Sequence, residues 1–210
     1  MSNALQQNEE WFQARRGKLT GSNFKLLINK GRGKDFTEQG YSHIRLKVAE
    51  RMGSYEFQST NSACKWGNEK EPEAISMYED VTGYTVEETG FNLHPVHDFI
   101  GCSVDGIVLD EGGIIEVKSP YNPANHIRYA SDLSYIEKEH KGQIQGNLYV
   151  MEMDFCDFIS FDPRNEDLPI FIHRFKRDEE YIKKIEERLL LAEEVAQQIQ
   201  HDIMFPNCEF

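Results

Sequence analysis

The sequence predicts an α/β protein in which helices flank a mixed central β-sheet. The chain has 210 residues, about the size of one domain. Helical periodicity governs residues 11–82 and 179–203, whereas β-branched and aromatic segments fill much of residues 84–117. No repeat and no linker rich in proline or serine divides the chain. We therefore expect residues 1–210 to form a single domain, of which Met1–Ala4 resemble an expression scar.

The predicted helices share apolar positions three or four residues apart and end at glycines or at a change of pattern. They cover residues 11–28 as two short helices, 37–52, 66–82, 139–153 and 179–203. In the loop 17–22, which separates the first two helices, Thr20 or Ser22 is suited to cap the second.

The predicted strands are rich in β-branched and aromatic residues and are separated by glycines. They cover residues 85–86, 91–93, 99–109, 114–117, 155–161 and 170–175, of which the first four segments, broken by Gly90, Gly101 and Gly112-Gly113, make two or three antiparallel strands. The order of helices, strands, helix, strands and helix indicates a mixed sheet covered by helices.

The net charge of −13 argues against a general nucleic-acid coat protein, whose binding depends on a positive surface. The charge is uneven, however, because residues 15–34 hold seven basic side chains and no acidic one, while residues 178–194 hold seven acids. A protein with one basic face can steer a polyanion into a channel.

The cysteines at positions 64, 102, 156 and 208 are too scattered for a C-x-x-C site, so we expect free thiols and no iron–sulfur cluster. Because no apolar run approaches the ~20 residues of a membrane span and no signal-peptide pattern is present, we expect a soluble intracellular protein without a membrane partner.

The segment with the clearest chemical pattern contains Asp105, Glu116 and Lys118. Residues i and i+2 of a strand point to the same side, so Glu116 and Lys118 project together while Val117 packs behind them. A tight turn at Gly112-Gly113 would place the preceding strand, with Asp105, alongside. Two carboxylates and an ammonium then converge.

This arrangement fits hydrolytic cleavage of DNA. Carboxylates, water and phosphate oxygens are ligands for Mg²⁺ or Mn²⁺, and a lysine can orient the attacking water and stabilise charge on the phosphate. The alternative is a surface hairpin with an ordinary ion pair between Glu116 and Lys118. A second Glu-x-Lys run, Glu139 to Lys141, lies in a polar helical stretch without a flanking strand.

The segments Gly101–Gly106 and Gly113–Pro120 resemble the catalytic core of the PD-(D/E)XK nuclease superfamily, whose fold is restriction-endonuclease-like. More narrowly, they resemble the phage lambda exonuclease family of YqaJ-type viral recombinases. Further blocks keep the family's order along the chain: Trp11–Gly17, Thr20–Ser22, Trp66–Glu71, Gln143–Gln145 and Phe161–Arg164.

The resemblance implies roles for individual residues. Asp105 and Glu116 correspond to metal-binding carboxylates, the backbone carbonyl of Val117 to a further ligand, and Lys118 to the catalytic lysine. Glu71 corresponds to a helix-borne acid that supports the metal, although an exposed helix acid is the alternative.

A second group of residues corresponds to the pocket for the 5′-phosphate of a DNA end, namely Arg15, Ser22, Ser103 and Gln143. The alternatives are a surface arginine for Arg15 and a plain N-cap for Ser22. Gln145 and Tyr149 resemble the Gln-x-x-x-Tyr feature of RecB-type nucleases and are candidates for support of the site. His94 and His97 suggest a metal site of their own, but a loop before a strand is the preferred interpretation.

The function implied by the resemblance is a Mg²⁺-dependent, processive 5′-to-3′ exonuclease, with Mn²⁺ as a substitute ion. It would digest linear double-stranded DNA to 5′-mononucleotides and leave a 3′ single-stranded tail for recombination by strand annealing. A homotrimeric ring, a phage single-strand annealing protein as partner and the cytoplasm of a bacterial host are also implied. The alternatives are a RecB-like or endonucleolytic repair nuclease and an inactive module that binds DNA ends.

Overall fold

The computed structural model describes residues 6–54 and 61–206. Met1–Ala4 and Cys208 lie outside these residues. The helices are α1 (Glu9–Arg15), α2 (Phe24–Ile28), α3 (Glu38–Arg51), α4 (Ser62–Thr82), α5 (Pro123–Ser131), α6 (Leu133–Met151) and α7 (Glu179–Met204). The strands are β1 (Leu19–Thr20), β2 (Val86–Glu87), β3 (Asn92–Leu93), β4 (Ile100–Cys102), β5 (Gly106–Val108), β6 (Gly113–Lys118), β7 (Phe155–Phe161) and β8 (Ile170–Lys176).

The strands form a five-stranded sheet in the order β2-β5-β6-β7-β8 and a three-stranded sheet in the order β1-β4-β3. In the larger sheet β6 and β7 are parallel and the other neighbours are antiparallel. In the smaller sheet β1 is parallel to β4. The predicted mixed sheet with flanking helices is therefore confirmed.

Strand β6 is buried on both faces, and its side chains alternate between two hydrophobic clusters. Ile114 packs into the larger cluster with residues of α2, α3, α6 and α7. Ile115 and Val117 pack on the other side with residues of α4. The sheet is thus held between two helical layers, and Glu116 is directed towards α6.

Several boundaries differ from those predicted from the sequence. Residues 84–117, predicted as two or three antiparallel strands, form the five strands β2 to β6, and β4 and β5 belong to different sheets because the chain turns between them. Helix α6 begins at residue 133 rather than 139, since the carboxylate of Asp132 accepts a hydrogen bond from the Tyr135 N–H at 3.2 Å. Neither Thr20 nor Ser22 caps a helix through its side chain: Thr20 is part of β1, and Ser22 lies within a 3-10 turn, Gly21–Asn23, that precedes α2.

Helix α5 lies where no helix is predicted. Asn122 caps it by accepting the Ala124 N–H at 3.0 Å, and Pro123 occupies its first turn. Among the described helices, none is long and apolar enough to cross a membrane.

Candidate active site

Asp105, Glu116 and Lys118 converge where β5 and β6 pair. The antiparallel pairing brings Asp105, which directly precedes β5, alongside β6. The Val117 N–H donates to Asp105 Oδ2 at 2.6 Å, and Lys118 Nζ donates to Glu116 Oε1. Glu116 and Lys118 lie on the same side of the strand, as the alternation of side chains predicts.

Two side chains of α6 hold the carboxylate of Glu116, which is only 1% exposed. Gln143 Nε2 donates to Oε1 at 2.6 Å, and Asn147 Nδ2 donates to Oε2 at 3.2 Å. Gln143 and Asn147 are four residues apart and therefore lie on one face of the helix. Sequence reasoning missed Asn147, although this spacing from Gln143 was a usable signal.

The acids crowd one another electrostatically. Burial, Glu116 and Glu71 raise the pKa of Asp105 well above its ordinary value, against the opposing effects of Lys118 and the Val117 N–H. Burial also raises the pKa of Glu71, where Lys118 opposes the shift and Glu116 adds to it. A further positive charge at this place would favour the ionised carboxylates.

Lys118 remains protonated in this environment. Burial alone would lower its pKa, but the attraction of Glu116 and Asp105 and the hydrogen bond to Glu116 together raise the pKa above the ordinary value. Burial and the charge of Lys118 lower the pKa of His140 to about 3, so this histidine is neutral at physiological pH.

Arg15 and Ser103 form a second polar group, and Ser103 lies two residues before Asp105 in the chain. Arg15 Nη1 donates to Ser103 Oγ at 2.8 Å, and Trp11 Nε1 donates to the same oxygen at 2.9 Å. The guanidinium lies 4.2 Å from the centroid of the Trp11 ring and 5.5 Å from that of Phe91. Burial lowers the pKa of Arg15 to about 10, which leaves it charged near neutral pH.

Two residues predicted for the phosphate pocket are placed differently. Gln143 contacts Glu116. Ser22 is exposed, and its hydroxyl accepts a weak hydrogen bond from Asn23 at 3.4 Å. The structure thus joins Arg15 to Ser103 and adds Trp11, one helical turn before Arg15, which sequence reasoning did not single out.

Gln145 and Tyr149 face away from the acids. Gln145 Nε2 donates to the Lys176 carbonyl, and Gln145 Oε1 accepts the Asp178 N–H, both at 2.8 Å. Tyr149 Oη donates to Glu186 Oε1 at 3.1 Å. These bonds fasten α6 to the connection between β8 and α7 and to α7 itself.

His94 supports a loop, in agreement with the preferred interpretation. Its Nδ1 accepts the backbone N–H groups of Val96 and His97, both at 3.1 Å. Across residues 6–54 and 61–206, no three side chains of the His, Cys, Asp or Glu type are grouped so that they could hold a metal ion by themselves.

Comparison with known proteins places this geometry in a family. The model of the YqaJ-like viral recombinase domain matches residues 10–154. The chain belongs to this family. The match confirms the resemblance found in the sequence, and it includes Arg15, Glu71, Asp105, Glu116 and Lys118.

Solved structures share the fold. The chain is 30% identical to the alkaline exonuclease LHK-Exo of Laribacter hongkongensis, with a TM-score of 0.83 over 94% of this chain and 96% of that one. LHK-Exo in complex with dAMP gives the same identity and TM-score over 93% and 96% of the two chains. A phage-related exonuclease of Haemophilus somnus 129PT, 20% identical, has a TM-score of 0.73 over 89% and 96% and supports the fold alone.

A curated relative is much longer. The chain is 28% identical over 166 residues to the uncharacterized protein R354 of Acanthamoeba polyphaga mimivirus. The match covers 73% of this chain but spans only 28% of the length of that relative.

Proposed function

We propose that the protein is a metal-dependent DNA exonuclease that digests one strand of linear duplex DNA from its 5′ end. It releases 5′-mononucleotides and leaves a 3′ single-stranded tail for recombination by strand annealing. The observation that carries the proposal is the convergence of Asp105, Glu116 and Lys118 at the β5–β6 pair. Membership of the recombinase family and the likeness to an alkaline exonuclease support it.

The donor set fits Mg²⁺, with Mn²⁺ as a substitute. Asp105, Glu116 and the backbone carbonyl of Val117 are oxygen ligands of the kind that these ions prefer, and Glu71 lies close enough to influence Asp105 electrostatically. Burial, together with the neighbouring charges of Glu116 and Glu71, raises the pKa of Asp105, and a divalent ion would favour the ionised carboxylate. When bound, such an ion polarises the phosphodiester and lowers the pKa of a coordinated water.

The remaining chemistry belongs to side chains of the chain itself. Lys118 is protonated and half-buried, so its ammonium can orient the attacking water and stabilise charge that develops on the phosphate. Gln143 and Asn147 fix the carboxylate of Glu116 from the α6 side. Catalytic groups held in this way lose little entropy when substrate binds.

Arg15 and Ser103 give the enzyme its preference for an end. The Arg15 guanidinium is charged, presents several donors and is held between Trp11 and Phe91. Two oxygens of a terminal 5′-phosphate can accept hydrogen bonds from the guanidinium, and the Ser103 hydroxyl adds a further donor. Because Ser103 lies two residues before Asp105, the bound end would sit next to the acids.

The proposal extends to assembly and partners. A homotrimeric ring with DNA through its centre would make digestion processive and would reconcile the net charge of −13 with the basic residues 15–34. The proposed partner is a phage single-strand annealing protein, and the proposed location is the cytoplasm of a bacterial host.

The experiment compares linear duplexes that carry a 5′-phosphate or a 5′-hydroxyl, with Mg²⁺ or with a chelator. We expect cleavage only with the metal, faster digestion of the phosphorylated end, and a loss of at least ~100-fold for Lys118→Ala. Lys141→Ala is the matched control, because Lys141 belongs to the other Glu-x-Lys run and pairs with Asp178 at 2.9 Å. Digestion of covalently closed circles would favour an endonuclease, and metal-independent DNA binding without any product would favour an inactive end-binding module.

A further inference from the structure

An aromatic surface follows Lys118 closely in the chain and takes no part in the reaction described above. Tyr121 follows Lys118 by three residues, and its side chain is 56% exposed. The Tyr121 ring meets Trp66 edge to face, with centroids 6.3 Å apart and planes at 81°. Trp66 lies on α4, the helix that also carries Glu71. We call the surface made by Trp66, Lys70, Tyr121 and Arg164 the Tyr121 platform.

Arg164 fixes the position of Tyr121. Its Nη1 donates to the Tyr121 carbonyl at 3.2 Å, and its Nη2 donates to the Pro120 carbonyl at 3.1 Å. The buried carboxylate of Asp162 orients the guanidinium by accepting from Nε at 2.7 Å and from Nη2 at 2.9 Å. The guanidinium also lies 4.6 Å from the Trp66 centroid. The exposed ring is therefore held in place, which lowers the entropic cost of binding a ligand against it.

The cations of the Tyr121 platform are paired with acids. Arg164 is bound by Asp162, and Lys70, which lies 5.4 Å from the Trp66 centroid, pairs with Glu73 at 2.7 Å. Since these charges are largely compensated, the Tyr121 ring face is the principal binding element that remains. Planar aromatic faces of this kind bind nucleobases by stacking, with little dependence on sequence.

Two buried polar atoms near the Tyr121 platform have no hydrogen-bond partner within the part of the chain that the structure describes. They are Trp66 Nε1 and Ser119 Oγ. Buried donors are normally paired. Both atoms are shielded from solvent, so the binding element offered to a ligand is the exposed ring of Tyr121 and not these donors.

We propose that the Tyr121 platform binds an unpaired DNA base next to the scissile phosphate, with the base stacked on Tyr121. The proposal rests on the proposed function, because a base face becomes accessible only where the duplex opens at the digested end. The location, three residues from Lys118, makes Tyr121 a binding residue for the strand and not a catalytic one.

The test uses the full chain and linear duplexes with 2-aminopurine at single positions near the 5′ end, on either strand, in the presence of a chelator. We expect one position at which wild-type protein and Tyr121→Phe change the 2-aminopurine fluorescence and Tyr121→Ala does not. Phe205→Ala is the control, since Phe205 is an exposed aromatic at the end of α7. A fluorescence change that is the same in Tyr121→Ala and wild type, or its absence at every position, would overturn the proposal.

Kinetics with Mg²⁺ provide a second readout. Tyr121→Ala should raise KM about tenfold, the usual scale for the loss of one stacked base. The ratio of the two KM values should not change with salt concentration, because stacking does not involve counterion release. An abasic site at the stacking position should raise KM for the wild type but should have no further effect on Tyr121→Ala. If wild type fails to cleave at all, the proposed function is refuted. The fluorescence assay still tests base binding at the Tyr121 platform, because it does not require cleavage. If wild type cleaves and Tyr121→Ala has an unchanged KM, the Tyr121 platform alone is refuted.

Discussion

His43 should make the fold sensitive to acid. The residue lies on α3, is 8% exposed, and its Nε2 has no hydrogen-bond partner among the described residues. Burial and the neighbouring Lys47 lower its pKa from 6.5 to about 4, while Glu50 opposes the shift. Because the folded pKa is the lower one, the unfolded chain binds the proton more readily, and stability falls as the pH drops from 6.5 towards 4.

The size of this effect follows from the two pKa values. One pKa unit corresponds to about 1.4 kcal/mol. Between about pH 7.5 and about pH 5 His43 is protonated mainly in the unfolded chain, which should lower the free energy of unfolding by about 2 kcal/mol. In His43→Leu this contribution disappears, because leucine fills a buried site without a titrating group.

The assay is urea denaturation of wild type and His43→Leu at a series of pH values. We expect the difference in unfolding free energy between the two proteins to shift by about 2 kcal/mol in favour of the variant from about pH 7.5 to about pH 5. His201→Gln, which removes an exposed imidazole, is the control. Parallel pH curves for wild type and His43→Leu would refute the reasoning, since they would mean that His43 charges equally well in the folded protein.

Three further predictions concern Arg15 and two positions that support helix α6. In Arg15→Ala the preference for a 5′-phosphorylated over a 5′-hydroxyl end should fall by about tenfold or more, as expected for one lost charge-assisted hydrogen bond. Competition between the two kinds of end measures this preference. Tyr149→Phe removes the bond to Glu186 and should lower the unfolding free energy by about 1 kcal/mol with an unchanged kcat; a large fall in kcat would instead give Tyr149 a role in cleavage. In Gly21→Ala the new Cβ would lie 2.1 Å from Asn147 Oδ1, so stability should fall by about 1–3 kcal/mol, and a double-mutant cycle should show a smaller loss in an Asn147→Ala background.

The convergence of Asp105, Glu116 and Lys118 was predictable because it depends on local rules. Alternation along β6 places Glu116 and Lys118 together, and the turn at Gly112, whose φ is 68°, brings β5 back alongside. The same rules fail at Ser103, where the chain leaves one sheet and enters another. A run of β-forming residues does not record such a change of partner.

Other features depend on contacts between distant parts of the chain. The parallel pairing of β1 with β4 joins residues about 80 positions apart, as Leu19 and Ile100 show, and periodicity carries no signal for it. Helix α5 could have been predicted, since Asn122 followed by Pro123 is a typical helix start. The helix is short, however, so its pattern of apolar residues is hard to recognise. The contact of Gln143 with Glu116 could not be read from the sequence, because it depends on the packing of α6 on the sheet.

Calorimetric titration of Mn²⁺ into wild type and Asp105→Asn tests most directly whether the converging acids hold a divalent ion. The substitution keeps the shape of the side chain and removes its charge. We expect measurable uptake by the wild type and binding weakened by about tenfold or more in the variant, because a carboxylate ligand is replaced by a neutral amide. Equal affinity in the two proteins, or no uptake by wild type under conditions in which it cleaves DNA, would contradict the account.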